Sequence, residues 1–211
     1  RIIDFGCGKS YLTFVLYHYL VNILGIRVNM TGLDLKADVI AKCSAAAKRY
    51  GYDSLKFERG DIAEYDAHAP ADMVVTLHAC DTATDYALHN AVCRGARMIL
   101  SVPCCQHELN GQIASDRLRL ITRYGIIQER FAALMTDAIR ANLLESRGYK
   151  TQVLEFVDLS HTPKNLLIRA IKKRPALDNA GRIALDEAKA LMDEFSLEPT
   201  LYSLLYPHSA D

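Results

Sequence analysis

Asp4-Phe5-Gly6-Cys7-Gly8-Lys9-Ser10-Tyr11 constrains the fold more than any other stretch of this chain. A short apolar run, residues 2–5, is broken by two glycines and followed by an amphipathic stretch over 10–24. That order reads as strand, tight turn and helix. Gly8-Lys9-Ser10 matches the end of a triphosphate-binding loop, but the glycine needed five positions before the Gly-Lys pair is Ile3. The dinucleotide fingerprint G-x-G-x-x-G fails at its third glycine, which is Tyr11. What survives is an acidic residue closing a strand and G-x-G opening a helix.

The same rhythm continues downstream. Residues 28–35 read as a second strand ending at Asp34, 37–50 as a helix, and 55–58 as a third strand closed by Gly60-Asp61. Residues 73–77 read as a fourth strand leading into His78-Ala79-Cys80-Asp81, 82–93 as a helix, and 97–102 as a fifth strand ending at Pro103-Cys104-Cys105. Strands apolar throughout, alternating with helices, predict a Rossmann-like, doubly wound α/β fold: a mostly parallel sheet with helices on both faces. The rhythm then changes. Residues 113–124 and 127–147 read as long helices, 151–157 and 165–171 as an antiparallel C-terminal hairpin edge, and 182–195 as an acidic amphipathic helix.

A chain of 211 residues, half of them hydrophobic, suits one domain with a substantial core. Residues 1–174 are expected to form a cofactor-binding domain, with 175–211 an acidic helix and tail packed on it. The longest apolar stretch, 11–26, is interrupted by His18, Asn22 and Gly25, too short and too polar for a membrane span. Nothing resembles a secretory signal, and the chain opens at Arg1 directly on a strand, so an upstream segment is expected. Six cysteines, two of them adjacent, form no disulfide framework, and a reducing cytoplasm is the simpler setting. Net charge is zero, yet residues 112–174 carry 12 basic and 6 acidic side chains, compatible with a polyanionic partner or with solvated helix faces.

In open α/β sheets ligands sit beyond the carboxyl ends of the strands. Gly6 and Gly8 let a ligand approach bare backbone. Asp34 is placed to grip a ribose diol or to cap the next helix. Asp61 is placed to accept from an exocyclic amine or to form a turn, with Ile62 alongside as apolar cover. Asp4 would brace the glycine turn or accept from a ligand ammonium. Acidic residues make this a poor site for a pyrophosphate and a good one for a nucleoside with a cationic tail. S-adenosylmethionine has that shape and charge.

"DFGCG", "GLDL" and "GDI" are similar to the first three cofactor-binding motifs of class I S-adenosylmethionine-dependent methyltransferases, over roughly residues 1–172. "DFGCGKSYLTFVLYHYL", "TLHACDTATDYAL" and "SVPCCQHELN" resemble, more narrowly, the Methyltransf_32 methyltransferase-domain family. A looser likeness extends to tRNA 2′-O-methyltransferases, with a comparable His-x-Cys phrase after the fourth strand. The resemblance implies Gly6 and Gly8 against the cofactor's amino-acid end, Asp34 on its ribose, and Asp61 with Ile62 at its adenine. Where amino-methyltransferases carry an Asn/Asp-Pro-Pro-aromatic phrase, this chain has His78-Ala79-Cys80-Asp81, which argues against methylation of a base or amide nitrogen.

His78, Asp81 and His107 are the candidates for substrate handling, with His78 or Asp81 as proton acceptor or as an orienting group for a hydroxyl nucleophile. Asp85, one turn beyond Asp81, reads as a solvated carboxylate, and Asp137 as an interhelical hydrogen-bonding group. His161–Asn165 rims the substrate mouth or forms an ordinary hairpin turn. The cysteines and histidines near the fourth and fifth strand ends raise the question of a metal. C-C-x-H is not a standard ligand spacing and buried cysteine usually serves as a small hydrophobe, so no metal is assigned. The functional expectation is methyl transfer from S-adenosylmethionine, with RNA a candidate acceptor through the basic stretch. The alternative is a non-catalytic S-adenosylmethionine-binding module of a larger protein.

Overall fold

Ile2–Phe5 forms the central strand, β1, because all four of its side chains find buried surroundings, Ile2 and Ile3 on opposite faces of the sheet. In this computed structural model all residues are described except 66–68, 78, 114, 116, 159, 163 and 208–211. The further strands are β2 (Met30–Asp34), β3 (Leu55–Arg59), β4 (Met73–Thr76), β5 (Met98–Ser101), β6 (Tyr149–Glu155) and β7 (Leu166–Lys172). Among the described residues they form one sheet in the order β3-β2-β1-β4-β5-β7-β6. Six strands share a direction and β7 alone runs against them. The doubly wound fold with an antiparallel C-terminal hairpin is therefore as expected, and β6 ends up at the outer edge.

Helices α1 (Tyr11–Tyr17) and α2 (Ala37–Arg49) cover one face; α3 (Thr82–Cys93), α5 (Gly125–Ser146), α6 (Asn179–Phe195) and α7 (Thr200–Leu205) cover the other. Ile2, Met30 and Val75 pack with Tyr17 and Ala47 on the first face. Ile3, Phe5, Leu33 and Val74 pack with Leu88, Leu143 and Met192 on the second. The register places Ile2 opposite Met30 and Ile3 opposite Val74, so a period of two sends alternate residues of β1 into two separate cores. Each fully buried aliphatic side chain contributes about 1.5–3 kcal/mol.

Four departures from the sequence expectations have physical causes. The helix expected over 10–24 ends at Tyr17 and continues as a π-turn over His18–Ile23, where Leu24 N–H donates five residues back to the Tyr19 carbonyl. The helix expected over 113–124 contains two undescribed residues; what is described is the four-residue α4 (Arg119–Thr122). Ile113 is buried while Leu120 is 72% exposed, so its apolar residues do not line one buried stripe. Helix α7 was not anticipated; Leu201 and Leu205 anchor it in the main core. Helix α6 starts three residues before its expected bound because Asp178 caps it, accepting from Gly181 N–H at 2.8 Å.

Gly148 turns the chain from α5 into β6 at φ +88, where a Cβ would strike the Arg174 carbonyl and lie 2.9 Å from Pro175. Gly148→Ala is expected to lower stability by at least about 2 kcal/mol, measured as a drop in the urea midpoint at unchanged slope. An unchanged midpoint would mean that the turn relaxes freely.

Candidate functional site

Strand order reverses between β1 and β4, whose carboxyl ends diverge toward helices on opposite faces and leave a crevice. The backbone crosses into that crevice at Gly6 (φ +69), Gly8 (φ +52) and Ser10 (φ +61). Three left-handed residues at alternate positions make a tight bend, and only Ser10 is not glycine. Among the described residues a Cβ at Gly8 would meet nothing nearer than the Gly6 carbonyl at 4.0 Å, so none of them claims the space beside it.

Asp34, at the end of β2, fastens this bend. Its Oδ2 accepts from Gly8 N–H at 2.9 Å and its Oδ1 from Lys36 N–H at 2.9 Å. Asp4 sits beneath, 3% exposed, with Oδ2 accepting from the Thr13 hydroxyl of α1 at 2.5 Å. Among the described residues its Oδ1, which is buried, has no hydrogen-bond partner. Burial pushes the Asp4 carboxyl up to about 7, the Thr13 hydrogen bond opposing and the Asp34 charge adding to the rise. Asp4 also lines a cavity of about 190 Å³ with Gly6, Cys7, Ser10, Tyr11 and Leu77. That volume is below the usual range of roughly 300–1,000 Å³ for ligand pockets, so it accommodates one end of a nucleoside-sized molecule.

Asp61 lies beyond the next strand end, exposed, its Oδ1 accepting from Ala63 N–H at 2.9 Å in its own turn. Ile62 is buried in the main core at 8% exposure, and its carbonyl accepts from the Asn90 amide. The structure thus joins Gly8 and Asp34 by a direct hydrogen bond, with Asp4 close enough for the Asp34 charge to act on its carboxyl, and it leaves little of Ile62 for a ligand.

On the other side of the crevice, Asp81 precedes α3 at φ +52, ψ −126, a conformation costly for any residue but glycine. Its surroundings over-determine it. Oδ1 accepts from the backbone N–H groups of His107 (2.9 Å) and Glu108 (3.1 Å), and its carbonyl accepts from Arg140 Nη2. Asp81 therefore ties the loop after β4 to the loop after β5. His107 is exposed above this tie. His78 lies outside the described residues.

Arg140, which the sequence reading did not single out, is 2% exposed in α5. It donates to both oxygens of Asp85 (2.9 and 2.6 Å) and to Asp137 at 3.3 Å. Asp85 is correspondingly 2% exposed, not solvated: it completes a buried ion pair between α3 and α5. Asp137 also accepts from the buried Gln106 amide at 3.0 Å; burial raises its carboxyl, with Arg140 and Gln106 pulling the other way. Gln106, Asp137, Lys164, Asn165 and Leu166 line part of a second cavity of about 610 Å³ at the same sheet edge. Lys164, from the expected mouth segment, reaches Gln106 Oε1 at 3.4 Å.

Lys172–Arg174, the clearest basic run, falls at the opposite edge, since Lys172 pairs with Tyr149 at the start of β6. Lys172 donates to the Arg147 carbonyl, and Arg174 pairs with Glu145 and Asp178. Among the described residues, no helix is long and apolar enough to cross a membrane.

A sheet in the order β3-β2-β1-β4-β5-β7-β6 with helices on both faces gives this chain the Rossmann-like architecture of solved methyltransferase structures. The chain belongs to the Methyltransf_32 methyltransferase-domain family, whose model matches residues 1–112. Its fold is similar to that of an rRNA methylase from Streptococcus thermophilus (TM-score 0.52, 15% identity, 82% of this chain and 87% of that one). It is also similar to the citrinin polyketide synthase CMeT domain (TM-score 0.51, 18% identity), covering 83% of this chain but 47% of that one. The YcgJ protein from Bacillus subtilis aligns at TM-score 0.50 and 10% identity over 82% of this chain and 92% of its own. No curated protein matches the chain at a significant level.

Proposed function

We propose that the chain binds S-adenosylmethionine at the glycine bend and transfers its methyl group to an acceptor seated in the larger cavity. The observation that carries this reading is the unpartnered Asp4 oxygen, buried beside a small cavity next to bare glycine backbone. A buried carboxylate oxygen without a donor is costly, and a ligand ammonium satisfies it. The bare side of Gly8 leaves room for the cofactor's amino-acid end. Asp34, oriented by two backbone N–H groups, keeps lone pairs for a ribose diol. Asp61 is exposed one strand further out, where the adenine would lie.

Bound there, S-adenosylmethionine supplies an electrophilic methyl group, so the protein's remaining task is positioning. Asp81 holds the two loops that separate the cavities, and exposed His107 is the proton acceptor for a hydroxyl nucleophile. An RNA acceptor is supported only by the positive surplus of residues 112–174. Its clearest run, at Lys172–Arg174, is on the far edge, with Lys172 and Arg174 already engaged.

Titration calorimetry with S-adenosylmethionine tests the reading directly. Wild-type protein should bind, and Asp34→Ala should weaken binding at least about tenfold, since both the ribose acceptor and the clamp on Gly8 are lost. Equal binding by that variant would remove the ribose role. Radiolabelled methyl transfer to fractionated cell RNA, protein and metabolites then identifies the acceptor class.

A further inference from the structure

Among the described residues one group of side chains is arranged as metal ligands, and it lies outside the cofactor site: Cys80, Cys104 and Cys105. Cys80 Sγ is 3.4 Å from Cys104 Sγ, which is 3.7 Å from Cys105 Sγ, and all three lie within 4.8 Å of one another. We propose that these thiols hold a thiophilic divalent cation, zinc foremost, between the carboxyl ends of β4 and β5.

The distances fit one cation better than any disulfide. With zinc–sulfur bonds of about 2.3 Å, two thiolates on a tetrahedral zinc stand about 3.8 Å apart. A disulfide needs its sulfurs about 2.05 Å apart, and neighbouring cysteines in one chain are poorly placed to make it. The cluster follows from topology. Strands β4 and β5 are adjacent and parallel, with Thr76 opposite Ser101. Cys80 lies four residues past Thr76, and Cys104 and Cys105 three and four residues past Ser101. Two loops leaving one edge in step therefore deliver three sulfurs to one point. Asp81 locks them there by accepting from His107 and Glu108 N–H, so the ligand set is preformed.

Spacing within one segment argued against a metal because C-C-x-H is not a standard set. The third ligand comes instead from a different strand end, 24 residues away in the chain. Three sulfur donors select zinc, cadmium or copper(I) over magnesium and calcium. Three described protein donors match the ligand number of zinc sites that keep a position for water or substrate, and Cys80 is exposed. Bound zinc would staple the loop after β4 to the loop after β5.

The test uses the whole chain, purified reduced and without chelator, and does not read methyl transfer. Elemental analysis should find about one zinc per chain. Cobalt(II) added to the stripped protein should give a near-ultraviolet thiolate-to-cobalt charge-transfer band. Cys80→Ser and Cys104→Ser should each weaken cobalt binding by at least about tenfold. Cys93→Ser, in α3 outside the cluster, should leave zinc content and the cobalt band unchanged. Absence of both zinc and the cobalt band in reduced wild-type protein overturns the site. So does a metal retained unchanged in Cys104→Ser, or a Cys80–Cys104 disulfide mapped in metal-free protein prepared without oxygen. If the serine variants do not fold, the wild-type cobalt spectrum decides alone.

Discussion

Asp4→Asn is expected to have opposite effects at pH 8: higher stability of the ligand-free protein and about 10- to 100-fold weaker S-adenosylmethionine binding. The stability arm follows from a carboxyl pushed up by burial to about 7. Because its folded value exceeds its unfolded one, the Asp4 contribution favours folding fully below about pH 4 and is lost as pH rises through 7. At pH 8 the buried charge costs on the order of 4 kcal/mol. An amide accepts the Thr13 hydroxyl equally well and carries no charge, so the variant regains part of that cost. In a chain of this size each kcal/mol is about 2–4 °C of melting temperature.

The binding arm has a pH signature. Ammonium capture needs ionised Asp4, so wild-type affinity should climb from pH 5 and level off only above about 7. It should fall again above about 8, where an α-amino group loses its proton. Asp4→Asn should lose the acidic limb and keep the alkaline one. Calorimetry from pH 5 to 9 checks both. Identical acidic limbs in the two proteins would show that Asp4 does not receive the ligand's ammonium.

The second large effect is structural. Asp85→Ala leaves the Arg140 guanidinium buried with only Asp137 and the Asp81 carbonyl as described partners. Removing one partner of such a pair costs about 3–5 kcal/mol. Against a total stability of about 5–15 kcal/mol, the variant should have a sharply lowered denaturation midpoint or accumulate as insoluble protein. Asp85→Leu combined with Arg140→Met should recover part of the loss, because apolar side chains of similar volume replace the pair, while Asp137 keeps the Gln106 amide and burial, which raises its carboxyl, favours its neutral form. A double variant as unstable as the two single ones added together would show that the pair acts through separate contacts.

The parallel half of the sheet was legible because its signals are short-ranged. Four-residue apolar runs punctuated by glycine specify strand and turn within a few residues, and β1, β2, β4 and β5 fall within two residues of their expected bounds. Asp4, Gly8 and Asp34 were legible for a related reason: they sit at strand ends, and parallel strands bring their carboxyl ends to one edge. The stretch after β5 was less so. Its apolar residues at 113–124 suit a helix locally, yet among the described residues only Arg119–Thr122 is helical there, and Leu109 and Ile113 are buried from a short 3₁₀ turn and the residues just after it.

Other features exist only once elements pack. The exposed, solvated reading of Asp85 is the reasonable one for an isolated helix; Arg140, 55 residues later, makes it a core residue. Asp81 looks like a free base until the β5 loop lays two N–H groups on it. Cys80 finds Cys104 across two strand ends, and the basic run at Lys172–Arg174 is carried to the far edge by the reversal of β7. Local pattern follows from contacts two to four residues apart, which any window of the chain contains. The partner a buried charge or thiol meets depends on which elements pack together, and no window holds that information.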